Sequence, residues 1–263
     1  MKKIPLSKNG NKFKLFLWSF LIIGSFFISL YFLDLDFNRF FSRLENTPKV
    51  IARMMGFNFN LLVDLMKGFA TTFFLVVIGV FVSVLISFVL AFLAADNIAP
   101  SKILSGLIKG IVAIIRSIPS LILTIIVIAS IGFGNTSGLI SIIIAGVSFL
   151  TKTFSSVIES SGNNVIEAIR STGSSWFGIV IHGLLPTVFS GFISWTTLEI
   201  EQAVNLSISM GTIGIAGIGL LLSNAQRTYQ YKDITTIVVF IFILMYLLEL
   251  ITTTIREKLN DNN

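Results

Sequence analysis

Four ionisable side chains sit in stretches otherwise almost free of charge: Glu199 and Glu201 in TTLEIEQAV, Glu249 in YLLELIT, and Arg116 at the head of RSIPSLIL. A carboxylate at membrane depth is costly, and usually faces a cavity, a partner or water. Two residues apart on a helix, Glu199 and Glu201 diverge by about 200°, so both cannot face one pore. One is expected to line a path or meet a partner helix, while the other snorkels or bonds to backbone. Other chemistries are excluded by what is missing. There is no G-x-x-x-x-G-K-[ST] run, so the chain does not itself bind and hydrolyse ATP. His182 is the single histidine and there is no cysteine, so no common zinc site can be built and no metal or cofactor is expected. No serine has a triad partner. None of these three span carboxylates has a His, Lys or Arg at useful spacing, which disfavours a membrane-embedded enzyme.

A second cluster of polar residues is Asn164 to Pro186, NVIEAIRSTGSSWFGIVIHGLLP. Asn164 followed three residues later by Glu167 has capping-box spacing. A short helix through Ala168, Ile169 and Arg170 should end at Gly173, which can turn left-handed. Leu185-Pro186 closes the stretch, with Pro186 suited to the first turn of the next helix. His182 reads as an interfacial residue. A third cluster, Gly211, Gly214, Gly217 and Gly219, permits close helix contact or unwound backbone at membrane depth.

The elements that must hold these clusters are membrane spans. Hydrophobic residues are 54% of the 263, charged residues only 12%, and mean hydropathy is +0.90. A soluble chain carries about twice that charge. The expected fold is all-α and polytopic, with about six transmembrane helices near 15–33, 69–95, 102–132, 139–154, 187–209 and 234–255. Pro119 should kink or start the third. Residues 34–68 carry Phe37, Phe40, Phe41 and Leu44 at helical spacing and should lie partly along the interface. With both termini inside, twelve lysines and arginines fall on the cytoplasmic side, beginning with Lys2, Lys3 and Lys8, and seven fall outside. Asn164–Pro186 is then cytoplasmic. The net charge of +6 reflects this bias rather than nucleic-acid binding, since no basic patch interleaves with aromatics.

Glu167-Ala168, Gly173 and Leu185-Pro186 resemble the EAA loop of ABC importer permeases, in which that loop is the coupling helix docking into a partner ATPase. Gly183 departs from the usual aliphatic residue there. Further stretches resemble the phosphonate-type permeases: Arg116-Ser117-Ile118-Pro119, Gly132-x-Gly134 with Gly138, Lys152 before Glu159, Glu201 ten residues ahead of Gly211, the Gly211–Gly219 run, and Glu249 to Arg256. Together they cover roughly residues 110 to 256. Ala203, Asn205, Asn135 and Ala216 depart from the pattern. Methionine-type permeases, which share the Arg-Ser-Ile/Val-Pro stretch, are the nearest rival.

The resemblance implies the type I importer permease fold. Residues 1–68 would form a tail, first span and polar extracytoplasmic segment, and 69–258 the transporter domain, with its coupling loop at 158–186. It implies a multi-pass subunit of the cell membrane (plasma or inner), a homodimer of this subunit, a cytoplasmic ATPase dimer and an extracytoplasmic substrate-binding protein. The coupling residues would be Asn164, Glu167, Ala168, Arg170, Gly173, Leu185 and Pro186. The pathway would draw on Ser117, Pro119, Glu199, Glu201, Asn205, Gly211, Gly214 and Gly217. A channel or secondary transporter is the competing class, and no inverted repeat supports it.

Overall fold

The computed structural model describes residues 10–161 and 163–260, and every regular element among them is helical. Lys2, Lys3 and Lys8 lie outside the described residues. The chain divides into two compact units, one ending at Ala52 and the other beginning at Arg53.

The first unit holds helix α1 (Gly10–Phe32), α2 (Phe37–Leu44) and most of α3 (Thr47–Met54). At 1.5 Å per residue, the 23 residues of α1 reach about 35 Å, enough for a bilayer core. Asp36 caps α2 by accepting from the Arg39 amide at 2.8 Å. Phe37, Phe40, Phe41 and Leu44 are all exposed on α2, as an interfacial helix requires.

The second unit holds the remaining helices. They are α4 (Leu62–Ala94), α5 (Lys102–Ser117), α6 (Ser120–Ile131), α7 (Asn135–Ser161), α8 (Asn163–Arg170), α9 (Trp176–Gly178), α10 (Leu185–Met210), α11 (Ile218–Arg227) and α12 (Tyr231–Asn260). Among the described residues, five helical stretches are long and apolar enough to cross a membrane, or six when α5 and α6 count as one bent span. The bend between them is 96°. Proline forces the preceding residue into extended backbone, and Ile118 has φ −89° and ψ 124°. Pro119 thus breaks the span outright instead of kinking it.

The unit is built on α4 and α7. Gly79, Ser83, Ser87 and Ala91 recur every fourth residue of α4, the small-residue stripe that lets membrane helices approach closely. Ile142 fills the space over Gly79, where a Cβ would collide with it. The Ser83 and Ser87 hydroxyls donate across the seam to the carbonyls of Ile143 (3.3 Å) and Val147 (3.1 Å). Towards the α8 end, Phe154 of α7 stacks on Phe192 of α10 with centroids 4.2 Å apart. That cluster also includes Phe92, Leu150, Ile158 and Leu184, and it takes in Ile166 of α8.

Candidate coupling surface and cavity

Helix α8 is short, and its seating explains how it holds its place. Ile166 is buried and Ile169 half-buried, while Glu167, Ala168 and Arg170 are exposed on the other face. One face is bolted to the core and the opposite face is offered outward. The helix starts at Asn163, so Asn164 lies within its first turn and not ahead of it. This corrects the N-cap expectation, and the Asn164 side chain lies outside the described residues. Gly173 has φ +78°, a left-handed value that a β-carbon would strain. The chain returns through α9 and a π-helical segment, Ile179–Leu184, before α10 begins at Leu185-Pro186 with proline in its first turn. His182 is exposed in that segment. Gly183 has a purpose that its sequence did not reveal. A Cβ there would drive into Ile169 Cδ1 and come within 3.2 Å of Val165 Cγ1, so the missing side chain is the socket for α8. The Trp176 indole N–H also donates to the Ile98 carbonyl at 2.7 Å, tying the return segment to the α4–α5 link.

That link carries a polar clasp. Lys109 Nζ meets Asp96 at 2.6 Å and Glu159 at 2.8 Å, and Glu159 accepts from the Asp96 amide at 2.9 Å. Lys109 and the Ser105 hydroxyl beside Asp96 hold its carboxyl below the ordinary value of 3.8. The ends of α4, α5 and α7 are therefore pinned together next to α8.

Above the clasp, at the α5–α6 break, lies a cavity of about 180 Å³. Its polar walls are Arg116, Ser120, Ser148, Glu199 and Gln202. The Arg116 guanidinium lies over the Phe149 ring at 5.3 Å, a cation–π contact that orients it. Glu199 is 4% exposed, and its Oε1 lies over the space where Gly146 lacks a side chain. A Cβ at Gly146 would stand 2.6 Å from Ser83 Oγ and 2.7 Å from this oxygen, so those side chains would have to shift.

Glu201 faces elsewhere, as the 200° divergence requires. Its Oε1 accepts from Arg256 (2.7 Å) and Thr252 (2.6 Å) of α12, and Arg256 also donates to Thr197 at 3.1 Å. Sequence spacing could not show this partner: the pair lies 55 residues apart and closes only when α10 packs on α12. Glu201 lines a separate cavity with Asn205 and Glu249. The expected pathway residues thus do not converge on one site. Ser117 and Pro119 flank the Arg116–Glu199 cavity without lining it, while Ile118 between them does line it. The glycines serve the turn after α10. Gly211 and Gly219 put backbone against backbone, and a Cβ on Gly219 would lie 2.7 Å from the Ile208 carbonyl carbon. Gly214 and Gly217 have φ +96° and +141°. Ile218, next to Gly217, donates its amide to Thr72 at 3.2 Å. Ala216 is outside the positive-φ set, so alanine is harmless there, and Asn135 opens α7, where proline would be equally acceptable.

This architecture is that of a membrane transport subunit, and the chain belongs to the family of binding-protein-dependent transport system inner membrane components, whose model matches residues 87–261. Among relatives, it is similar to the phosphate-import permease protein PhnE of Mycolicibacterium smegmatis, at 28% identity over 148 residues. It is also similar to the putative phosphite transport system permease protein HtxE of Stutzerimonas stutzeri, at 27% over 150 residues. Those matches take in 56% and 57% of this chain but 28% and 58% of the relatives, so the chain spans less than two thirds of either. An inward-facing structure of the MetNI methionine ABC transporter shares the fold, with a TM-score of 0.69 and 22% identity over 77% of this chain and 99% of that one.

Proposed function

We propose that this chain is the permease subunit of a binding-protein-dependent ABC importer, moving its solute by alternating access. The observation that carries the reading is α8: a short helix seated by Ile166 and Ile169 that leaves Glu167, Ala168 and Arg170 free for a partner. A cytoplasmic ATPase dimer would grip that face, and its closure would pass through the socket at Gly183 into α7 and α10. Leu185-Pro186 would fix the entry to α10, and Gly173 the exit from α8. A second copy of this subunit completes the pathway, an extracytoplasmic binding protein delivers solute, and both termini lie in the cytoplasm. Residues 1–68 form the tail, first span and outer segment, and 69–258 the transporting domain.

The solute class supported best is a phosphorus oxyanion: phosphonate, phosphite or phosphate. The relatives named for phosphate and phosphite support it, as does a guanidinium in the Arg116 cavity. Of the residues expected on the pathway, Glu199 is the one lining that cavity; Ser117 and Pro119 shape it from the α5–α6 break. Glu201 and Asn205 belong to the α10–α12 side, and Gly211, Gly214 and Gly217 form the turn that ends α10. The test is uptake of phosphite and methylphosphonate by cells carrying Glu167→Lys or Gly173→Asp. Both variants should insert normally and lose uptake. Unchanged uptake in either would overturn the coupling assignment.

A further inference from the structure

A second cavity, about 330 Å³, lies along the same α5–α7 seam as the Arg116 cavity and closer to α8. Its polar walls are Lys109, Thr151, Lys152, Ser155, Ser156 and Glu159. On α5, Lys109, Ala113 and Arg116 follow at four- and three-residue steps, so they share one face. On α7, Ser148, Lys152, Ser155 and Glu159 do the same. Seven residues of helix separate Lys109 from Arg116, which sets the two cavities about 10 Å apart.

Both cavities hold donors that the described residues leave unused. In the lower one, Glu159 is already taken by Lys109 and the Asp96 amide. Lys152 has no carboxylate within ion-pair distance among the described residues, whereas Lys109 has two. Thr151 is buried, and its hydroxyl has no hydrogen-bond partner. A buried hydroxyl without a partner is expensive, so Thr151 calls for one, and the exposed Lys152 beside it has its charge free for a ligand. The upper cavity repeats the composition, with the Arg116 guanidinium beside the Ser120 hydroxyl and the Gln202 amide. Each cavity therefore offers one cation and neutral donors around it, the inventory that a tetrahedral oxyanion satisfies. Glu199 is the one carboxyl of the upper cavity, and a neutral carboxyl there could donate its O–H to an oxyanion.

We propose that the α5–α7 seam is a two-station anion path, in which Arg116 receives a small phosphorus oxyanion and Lys152 takes it on towards the α8 end. The proposal rests on the importer reading above. Two modest stations suit transport better than one tight site, because a solute held too well cannot leave.

The test is equilibrium binding of methylphosphonate and of inorganic phosphate to the detergent-purified full chain, followed by phosphorus NMR. Wild type should bind saturably. Lys152→Gln and Arg116→Gln should each raise the midpoint at least tenfold, Lys152→Arg should restore it, and the exposed Lys49→Gln should leave it unchanged. Absence of saturable binding to the wild type, or equal binding by Lys152→Gln, would overturn the path. A lipid phosphate offers the same chemistry from the bilayer side. If Lys152→Gln sheds co-purifying phospholipid while methylphosphonate binding is untouched, the lower station is a headgroup site and the path is wrong. Binding is read here without any ATPase, so the path and the importer reading can fail separately.

Discussion

Valine at position 183 is the most exacting perturbation of the α8 seat. The Cβ alone would collide with Ile169 Cδ1 and stand 3.2 Å from Val165 Cγ1. Alanine there should be tolerated, because the δ-methyl of Ile169 can swing aside for about 0.5–1.5 kcal/mol. Valine adds two γ-carbons that the swing cannot absorb, and overpacking of this kind costs about 1–3 kcal/mol. Because Val165, Ile166 and Ile169 are nearly the whole seat, most of that cost falls on the docked helix rather than on the fold. A penalty of about 2 kcal/mol lowers the docked fraction relative to the undocked by about 30-fold. Amide exchange across Val165–Arg170 should therefore accelerate in Gly183→Val, with uptake falling in step, while global thermal unfolding moves little. Ile169→Ala vacates the contested space. The double variant should recover part of the loss, with a coupling energy of about 1–2 kcal/mol. Strict additivity, or unaltered exchange in Gly183→Val, would refute the socket.

Other consequences follow from the same contacts. Gly219→Ala should destabilise the purified protein by about 3 kcal/mol, the upper end of overpacking, because its Cβ meets backbone that cannot rotate away; Gly106→Ala, with nothing within 4 Å, is the control in a thermal unfolding series. Arg256→Met should cost about 1–2 kcal/mol by leaving Glu201 unpaired, a value below that for a fully buried pair because the two side chains are 35% and 22% exposed; the same unfolding series would show it. Asp96→Asn should be mildly destabilising at neutral pH. The folded carboxyl is held below 3.8, so its contribution is present above that value and is lost as pH falls through the lower folded value. Stability curves of the two proteins should converge below pH 3.8, and a gap that widens there would contradict the clasp.

The sequence carried more of the fold than of the site. Five apolar helical stretches, and a sixth if the bent α5–α6 pair is one span, followed from hydropathy, and the short helix with its left-handed Gly173 followed from polar spacing. The divergence of Glu199 from Glu201 was legible because it depends only on helix pitch. Their partners were not: Arg256 lies 55 residues from Glu201, and only the packing of α12 on α10 brings them together. Arg116 read as a charge at the edge of a span until the 96° break placed it beside Glu199 in one cavity. Gly183 looked like a departure from a family pattern because its meaning lies in Ile169 of another helix. Asn164 was misplaced by two positions, within the usual uncertainty where a helix begins.

The most direct measurement is co-purification from detergent of the tagged wild-type chain and a Glu167→Lys/Gly173→Asp double variant, probing for a bound ATPase subunit. An ATPase that accompanies the wild type and is lost from an equally abundant, folded double variant is the result expected of an exposed coupling face on α8. An ATPase retained by the double variant, or a wild-type chain that carries none and transports alone in liposomes, would contradict the account.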